Sequence, residues 1–236
     1  MGTGRRKSGF SIRPLKASSP GLIVTPKTLK EALGKKGKPD SMIEAATSIN
    51  PNFTAPFTEG YQINCQRCVV AYELARRGYD VEALGNFGGI GGKRDRSSVS
   101  YQSYDKGFWG NWMGAFQKAK PVYVGKGLER DDSAQLVSNI EKQMKQWGPG
   151  SRAVIQTFWK GGGGHVFNVE VDKHGKVTWL EAQVGTRRPN DAVVDIDKRS
   201  KSMIPSSVML VRTDNLRVSD RAKEFVKPRQ KIGKDN

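Results

Sequence analysis

The chain has 236 residues, 36% of them hydrophobic, a mean hydropathy of −0.60 and a formal charge of +17. That length supports one sizeable domain or two small ones, and the polarity predicts extensions around a compact centre. No apolar run reaches the length of a membrane span and no apolar signal segment follows the basic start, which argues against a membrane partner and a secretory leader.

The charge is concentrated at the ends. Residues 1–40 carry 10 Lys/Arg against 2 Asp/Glu, and residues 213–236 carry 7 against 4, so only +6 of the total falls on residues 41–212. Three parts are therefore expected: a basic, largely disordered arm over 1–40, a folded α+β domain over 41–212, and a basic tail or short helix over 213–236. An arm beginning Gly4-Arg5-Arg6-Lys7 can bind nucleic acid by counterion release, dock on virion proteins, or simply keep the chain soluble.

Within the arm, Thr25 to Leu33 has the makings of a short helix before Gly34-Lys35-Lys36-Gly37-Lys38-Pro39 breaks it. Ser41-Met42-Ile43-Glu44 is a capping-box pattern that opens a helix to about Thr47, and the domain boundary is set near Asp40. The next helix begins at Asn64, a good N-cap residue, and stops at Gly78, which suits a left-handed position. Gln66, Glu73, Arg76 and Arg77 gather on one side of it, with Cys68, Ala71, Tyr72 and Ala75 opposite. Cys68 should point into the core. Cys65 lies in the first turn, where unpaired N–H groups and the helix dipole favour a thiolate, so of the two cysteines it is the one placed to react.

Tyr79 to Leu84 alternates as a strand, and Gly85 to Ser100 reads as a glycine-rich charged loop. Phe108, Trp109, Trp112, Met113 and Phe116 fall at helical spacing and read as core. Asp131-Asp132-Ser133 caps a helix that runs to Trp147 and ends at Gly148-Pro149-Gly150. Beyond it Arg152–Trp159, His165–Val171, Val177–Gln183 and Val208–Thr213 read as strands. Helices first and an antiparallel sheet afterwards give an α+β domain.

Only two histidines are present. His174 falls in an exposed hairpin turn. His165 opens a strand directly after Gly161 to Gly164, on one face with Phe167, Val169 and Val171. If Lys173-His174-Gly175 forms the turn, Val171 pairs with Val177, Phe167 with Glu181 and His165 with Gln183. That register brings a carboxylate and an amide to the histidine, the arrangement a base needs when its other nitrogen faces a cysteine. Two alternatives stand beside it. Cys65 and Cys68 could be half of a zinc site with His165 and His174, or a thioredoxin-like redox pair. No proline-bearing partner loop supports the second. Two cysteines three apart on one helix make no disulfide framework, so the setting is reducing, cytoplasmic or virion-associated.

The segments Asn64-Cys65-Gln66-Arg67-Cys68, Gly164-His165-Val166-Phe167-Asn168 and Leu180-Glu181-Ala182-Gln183-Val184-Gly185 resemble, in order, the motifs of the papain-fold toxin family, the glutamine-deamidase-like group. Related domains occur in bacterial polymorphic toxins and beside phage and prophage head genes. The resemblance implies a papain-like α+β fold, N-terminal helices carrying the cysteine packed on a C-terminal sheet carrying the histidine. It also implies a cysteine amidohydrolase acting on a protein, as a toxin- or phage-associated effector, with no cofactor and no metal. Carried over by position, Cys65 is the nucleophile, His165 the general base, Glu181 the acidic orienter and Gln183 the glutamine that follows it. Backbone N–H at Cys65, with Asn64 or Gln62, would hold the oxyanion, and Cys68 is the second choice of nucleophile. This chain departs from the pattern by having Glu181 where an aspartate is usual, which shifts the carboxylate by one methylene. The competing reading is a non-enzymatic basic structural protein of a phage particle, binding nucleic acid or capsid through its arm.

Overall fold

The computed structural model describes residues 26–54, 59–86, 111–185 and 189–229. Most of the first arm, most of the loop over 85–100 and the residues Phe108 and Trp109 lie outside them.

Local signals account for the first elements. Helix α1 (Leu29–Leu33) is closed by a capping box between Thr28 and Glu31, and α2 (Met42–Ser48) by the expected one between Ser41 and Glu44. A short α3 (Glu59–Gln62) leads into α4 (Cys65–Arg76), followed by strand β1 (Val81–Ala83). At the end of α4, Gly78 has φ +90°, as its C′ position predicts. A Cβ there would also run into the Gly37 carbonyl oxygen, because the Gly37 N–H donates to the Gly78 carbonyl at 2.6 Å. Trp112 and Phe116 are buried as expected, but their segment is a 3-10 turn, Asn111–Ala115, rather than a long helix.

Strand β2 (Val122–Tyr123) precedes helix α5 (Ser133–Trp147), which stops at Gly148 with φ +87°. Then come β3 (Arg152–Phe158), β4 (Gly164–Val171), β5 (Val177–Leu180), α6 (Ile196–Ser200), β6 (Met209–Arg212) and β7 (Val226–Pro228). Five strands form an antiparallel sheet in the order β2-β6-β3-β4-β5, while β1 pairs with β7 apart from it. Val171 pairs with Val177 and Asn168 with Leu180, which is the register expected of the histidine hairpin. The third strand is shorter than predicted: Glu181 to Gln183 leave the sheet in a turn after Leu180.

Alternation along the strands divides the core. Val154 and Val166 face α4 with Val69, Ala71 and Leu74, while Ala153, Ile155, Phe167 and Val169 face α5 with Leu136, Ile140 and Met144. Two expected boundaries move. Ala32 and Leu33 of α1 are buried, and α1 packs against β7, so the folded body begins well before Asp40. Phe225 and Val226 are fully buried and β7 pairs with β1, so the region after Thr213 is not a loose tail.

The polar side expected of α4 is absent. The sheet on one side and α2, β1, β7 and the 3-10 turn Asn111–Ala115 on the others enclose the helix, and Glu73 has 0% exposure. Its carboxylate is held by Arg77 at 2.7 Å, by the Arg152 fork at 2.8 and 2.9 Å, and by the Thr213 hydroxyl at 3.1 Å. Glu170 of β4 faces the same helix, taking hydrogen bonds from Tyr72 Oη at 2.6 Å and from Arg76 Nε at 2.7 Å.

Two stability outcomes follow from these contacts. Glu73→Ala leaves Arg152 without its buried partner and should cost roughly 3–5 kcal/mol in a denaturant titration. Gly78→Ala forces a left-handed alanine against a carbonyl and should cost about 1–3 kcal/mol in the same measurement, more than the few tenths of an ordinary surface change.

Candidate active site

Cys65 is the first residue of α4 and is half-buried. In the first helical turn its N–H has no partner four residues back among the described residues, while the Arg67 and Cys68 N–H groups donate to the Asn64 carbonyl. His165 comes from the start of β4, paired with Thr157 of β3, and its side chain is 12% exposed. The ring stacks between Trp159 and Phe167, with centroids 5.8 and 6.0 Å away. Its Nε2 lies 2.7 Å from Glu181 Oε2, and Cys65 is near enough to add to the upward shift of the ring.

The turn after β5 is what aims Glu181 and Gln183. Glu181 Oε1 accepts from the Gln183 N–H at 3.2 Å, Gln183 Nε2 donates to the Gln62 carbonyl at 3.0 Å, and Asn50 Nδ2 donates to the Gln183 carbonyl at 2.8 Å. Gly185 closes the turn where a Cβ would collide with the Ala46 carbonyl and come within 2.9 Å of the Glu181 carbonyl. The glycine that ends this motif is thus required by the close approach of α2.

Electrostatics tie the groups together. Burial alone would push the His165 imidazole down, but the Glu181 charge and the hydrogen bonds with Cys65 and Glu181 outweigh it and raise it to about 10. Burial would likewise raise the Glu181 carboxyl, yet His165 and then Arg199 hold it well below the usual carboxylate range. The site therefore rests as a carboxylate and an imidazolium facing the Cys65 sulfur.

Several expectations need correction. Asn64 cannot serve an oxyanion: it is fully buried, and its Nδ2 donates to Asn50 Oδ1 at 3.1 Å and to the Leu84 carbonyl at 3.0 Å. Nor does its side chain cap α4. Gln62 differs, being exposed, with its carbonyl engaged by Gln183. Cys68 is 1% exposed, its thiol donates to Asn64 Oδ1 at 3.2 Å, and burial pushes that thiol well up, so it is no nucleophile. His174 sits in the exposed hairpin turn. Among the described residues no group of three or more His, Cys, Asp or Glu could hold a metal, and no helix is long and apolar enough to cross a membrane.

Two residues of this neighbourhood escape sequence reasoning. Arg199 of α6 donates from Nη1 to Glu181 Oε2 at 2.6 Å, and Asn50 bridges Gln183 to Asn64. Arg199 lies in the run Lys198-Arg199-Ser200-Lys201, which looks like a solvated face, and Asn50-Pro51 looks like an ordinary turn.

A family model described as papain fold toxin 1, glutamine deamidase, matches residues 63–186. Among solved structures, the G161 variant of the Salmonella effector SpvD is similar at a TM-score of 0.43 and 13% identity, over 77% of this chain and 81% of that one. No curated protein matches the chain. The matched segment spans more than half of the chain, on a helix-and-antiparallel-sheet architecture of papain type; the chain belongs to the papain-fold toxin, glutamine deamidase family.

Proposed function

We propose that this protein is a cysteine-dependent amidohydrolase that converts glutamine side chains of a protein substrate to glutamate, acting as a toxin-type effector. What supports the reading is His165 Nε2 at 2.7 Å from Glu181 Oε2, with Cys65 among the groups that raise the imidazole.

In this reading the Cys65 sulfur, its proton transferred to His165, attacks the substrate carboxamide carbon. The oxygen takes the negative charge of the tetrahedral intermediate, stabilised by the free N–H at Cys65 and the exposed Gln62 amide. His165 returns the proton to the departing nitrogen, ammonia leaves, and a thioester remains on Cys65. Water then attacks the thioester while His165 accepts its proton, which releases a carboxylic acid and restores the thiol. Glu181 stays ionised throughout and orients the ring. Gln183 acts from behind, fixing the Gln62 backbone through its amide.

The test is ammonia release and glutamine-to-glutamate conversion, read by mass spectrometry, on a library of folded glutamine-containing proteins. The full chain should convert a subset of glutamines; Cys65→Ala should fall by about 10³-fold or more, while Cys68→Ala should keep its activity. Full activity in Cys65→Ala sinks the proposal. Backbone cleavage that depends on Cys65 would redirect it to a protease.

The same pair predicts a pH signature of stability. His165 is raised above its ordinary 6.5, so its contribution is complete below about 6.5 and is lost as pH climbs towards about 10. Glu181 is lowered below its ordinary 4.5, so its contribution is complete above that value and disappears in stronger acid. Melting curves of the wild type and Glu181→Gln should therefore differ most between about pH 4.5 and 6.5, and the difference should shrink by the histidine's share as the pH climbs towards about 10, the Arg199 contact remaining.

A further inference from the structure

The Glu181 carboxylate serves two cations through one atom. Oε2 lies 2.7 Å from His165 Nε2 and 2.6 Å from Arg199 Nη1, while Oε1 is held by the Gln183 N–H. Arg199 is fixed from its own side: α6 is N-capped by Asp195, which accepts from the Lys198 N–H at 3.1 Å, and Ile196 and Ser200 of the same helix are buried. The guanidinium lies 5.6 Å from the centre of the Phe167 ring, the ring that also stacks on His165. With 28% of its side chain exposed, Arg199 has water within reach and still meets the carboxylate. It also lies beyond residues 63–186, the segment that the family model matches.

We propose that Arg199 is a positioning residue of the Cys65–His165–Glu181 arrangement, holding Glu181 in place and sharing its charge so that the imidazolium remains able to give up its proton. This rests on the proposed catalytic roles of Cys65 and His165. Reach explains why it accompanies a glutamate. The Glu181 N–H is tied to the Ala192 carbonyl at 2.9 Å, so the backbone is fixed. An aspartate there would draw the carboxylate back by about one bond, roughly 1.5 Å, away from two partners now in contact. The longer side chain has more freedom, and a second donor on the same oxygen removes it.

Charge gives the second half of the argument. Around His165, α4 contributes Cys65 with the buried Cys68 behind it, the turn after β5 contributes Glu181, and α6 contributes Arg199; its ring neighbours Trp159 and Phe167 are uncharged. Glu181 and Arg199 together are neutral, so a cysteine–histidine proton transfer occurs beside a neutral unit. Without Arg199 the same histidine faces an unshared buried carboxylate, which holds its proton more firmly and makes a poorer acid for a leaving amine.

The chain has two histidines, and the exposed His174 serves as an internal reference in an NMR titration from about pH 5 to about 12, with the wild type and the variant compared over the same range. Arg199→Met should move the His165 midpoint up by about one pH unit or more and leave His174 unmoved. Arg199→Lys, which keeps the charge, should restore most of the wild-type midpoint. A His165 midpoint that is unchanged or lowered in a folded Arg199→Met protein overturns the proposal, whatever happens to its melting temperature. Iodoacetamide labelling of the wild type keeps the two readings apart. Labelling of Cys65 no faster than a free thiol would sink the catalytic assignment itself, whereas fast labelling with an unmoved His165 midpoint would sink the role of Arg199 alone.

Discussion

Glu73 and Glu170 put two buried carboxylates at the contact between α4 and the sheet, and the position of the helix follows from how they are satisfied. A buried carboxylate without partners costs several kcal/mol, so each must meet its cations in one geometry. Glu73 reaches Arg152 at the start of β3 and Thr213 just after β6, while Glu170 on β4 receives Arg76 and Tyr72 from the helix. Hydrophobic contacts between Val69, Ala71, Val154 and Val166 are non-directional and would tolerate a sliding helix. The ion pairs do not. They lie towards the C-terminal half of α4 and leave its first turn, with Cys65, beside the opening residues of β4, where His165 stands.

The opposite end of the site is built on close backbone approach. Asn50 links α2 to the turn after β5 and to Asn64, so one buried side chain joins the segments that carry Cys65 and Glu181. Gly185 lets the turn lie against the Ala46 carbonyl, and Gln183 fastens it to Gln62. The motif that ends in Gly185 is therefore a piece of chain geometry as much as a set of chemical groups: its glutamine and glycine hold the turn from which the carboxylate is aimed.

What could be read in the sequence was what depends on near neighbours. The Ser41–Glu44 capping box, the glycine stop at Gly78, the α5 helix and the Val171–Val177 register all arise from residues a few positions apart, whereas the Phe167–Glu181 and His165–Gln183 pairs expected from that register do not form, and Glu181 meets His165 from the turn instead. Contacts made over long separations were not legible. The charged side of α4 carried no sign of being buried, because Arg152 and Thr213, the partners of Glu73, lie 79 and 140 residues away. Asn64 has the composition of a helix cap, yet Asn50 and Leu84 take its amide. Arg199 carries no local mark, since a guanidinium in a basic run gains meaning only when the fold brings Glu181 to it.

The strand order also bears on the sequence of events during synthesis. Strand β6 lies between β2 and β3, although it follows β3, β4 and β5 in the chain. A nascent chain that has just exposed Gly185 already contains the cysteine, histidine and carboxylate, but β3 has a bare edge and Glu73 still lacks Thr213. Such a chain presents unpaired backbone groups where a strand belongs. Assembly of the complete sheet waits for residues 209–212 to leave the ribosome, and Thr213, which follows them, completes the partners of Glu73 on the helix that carries Cys65.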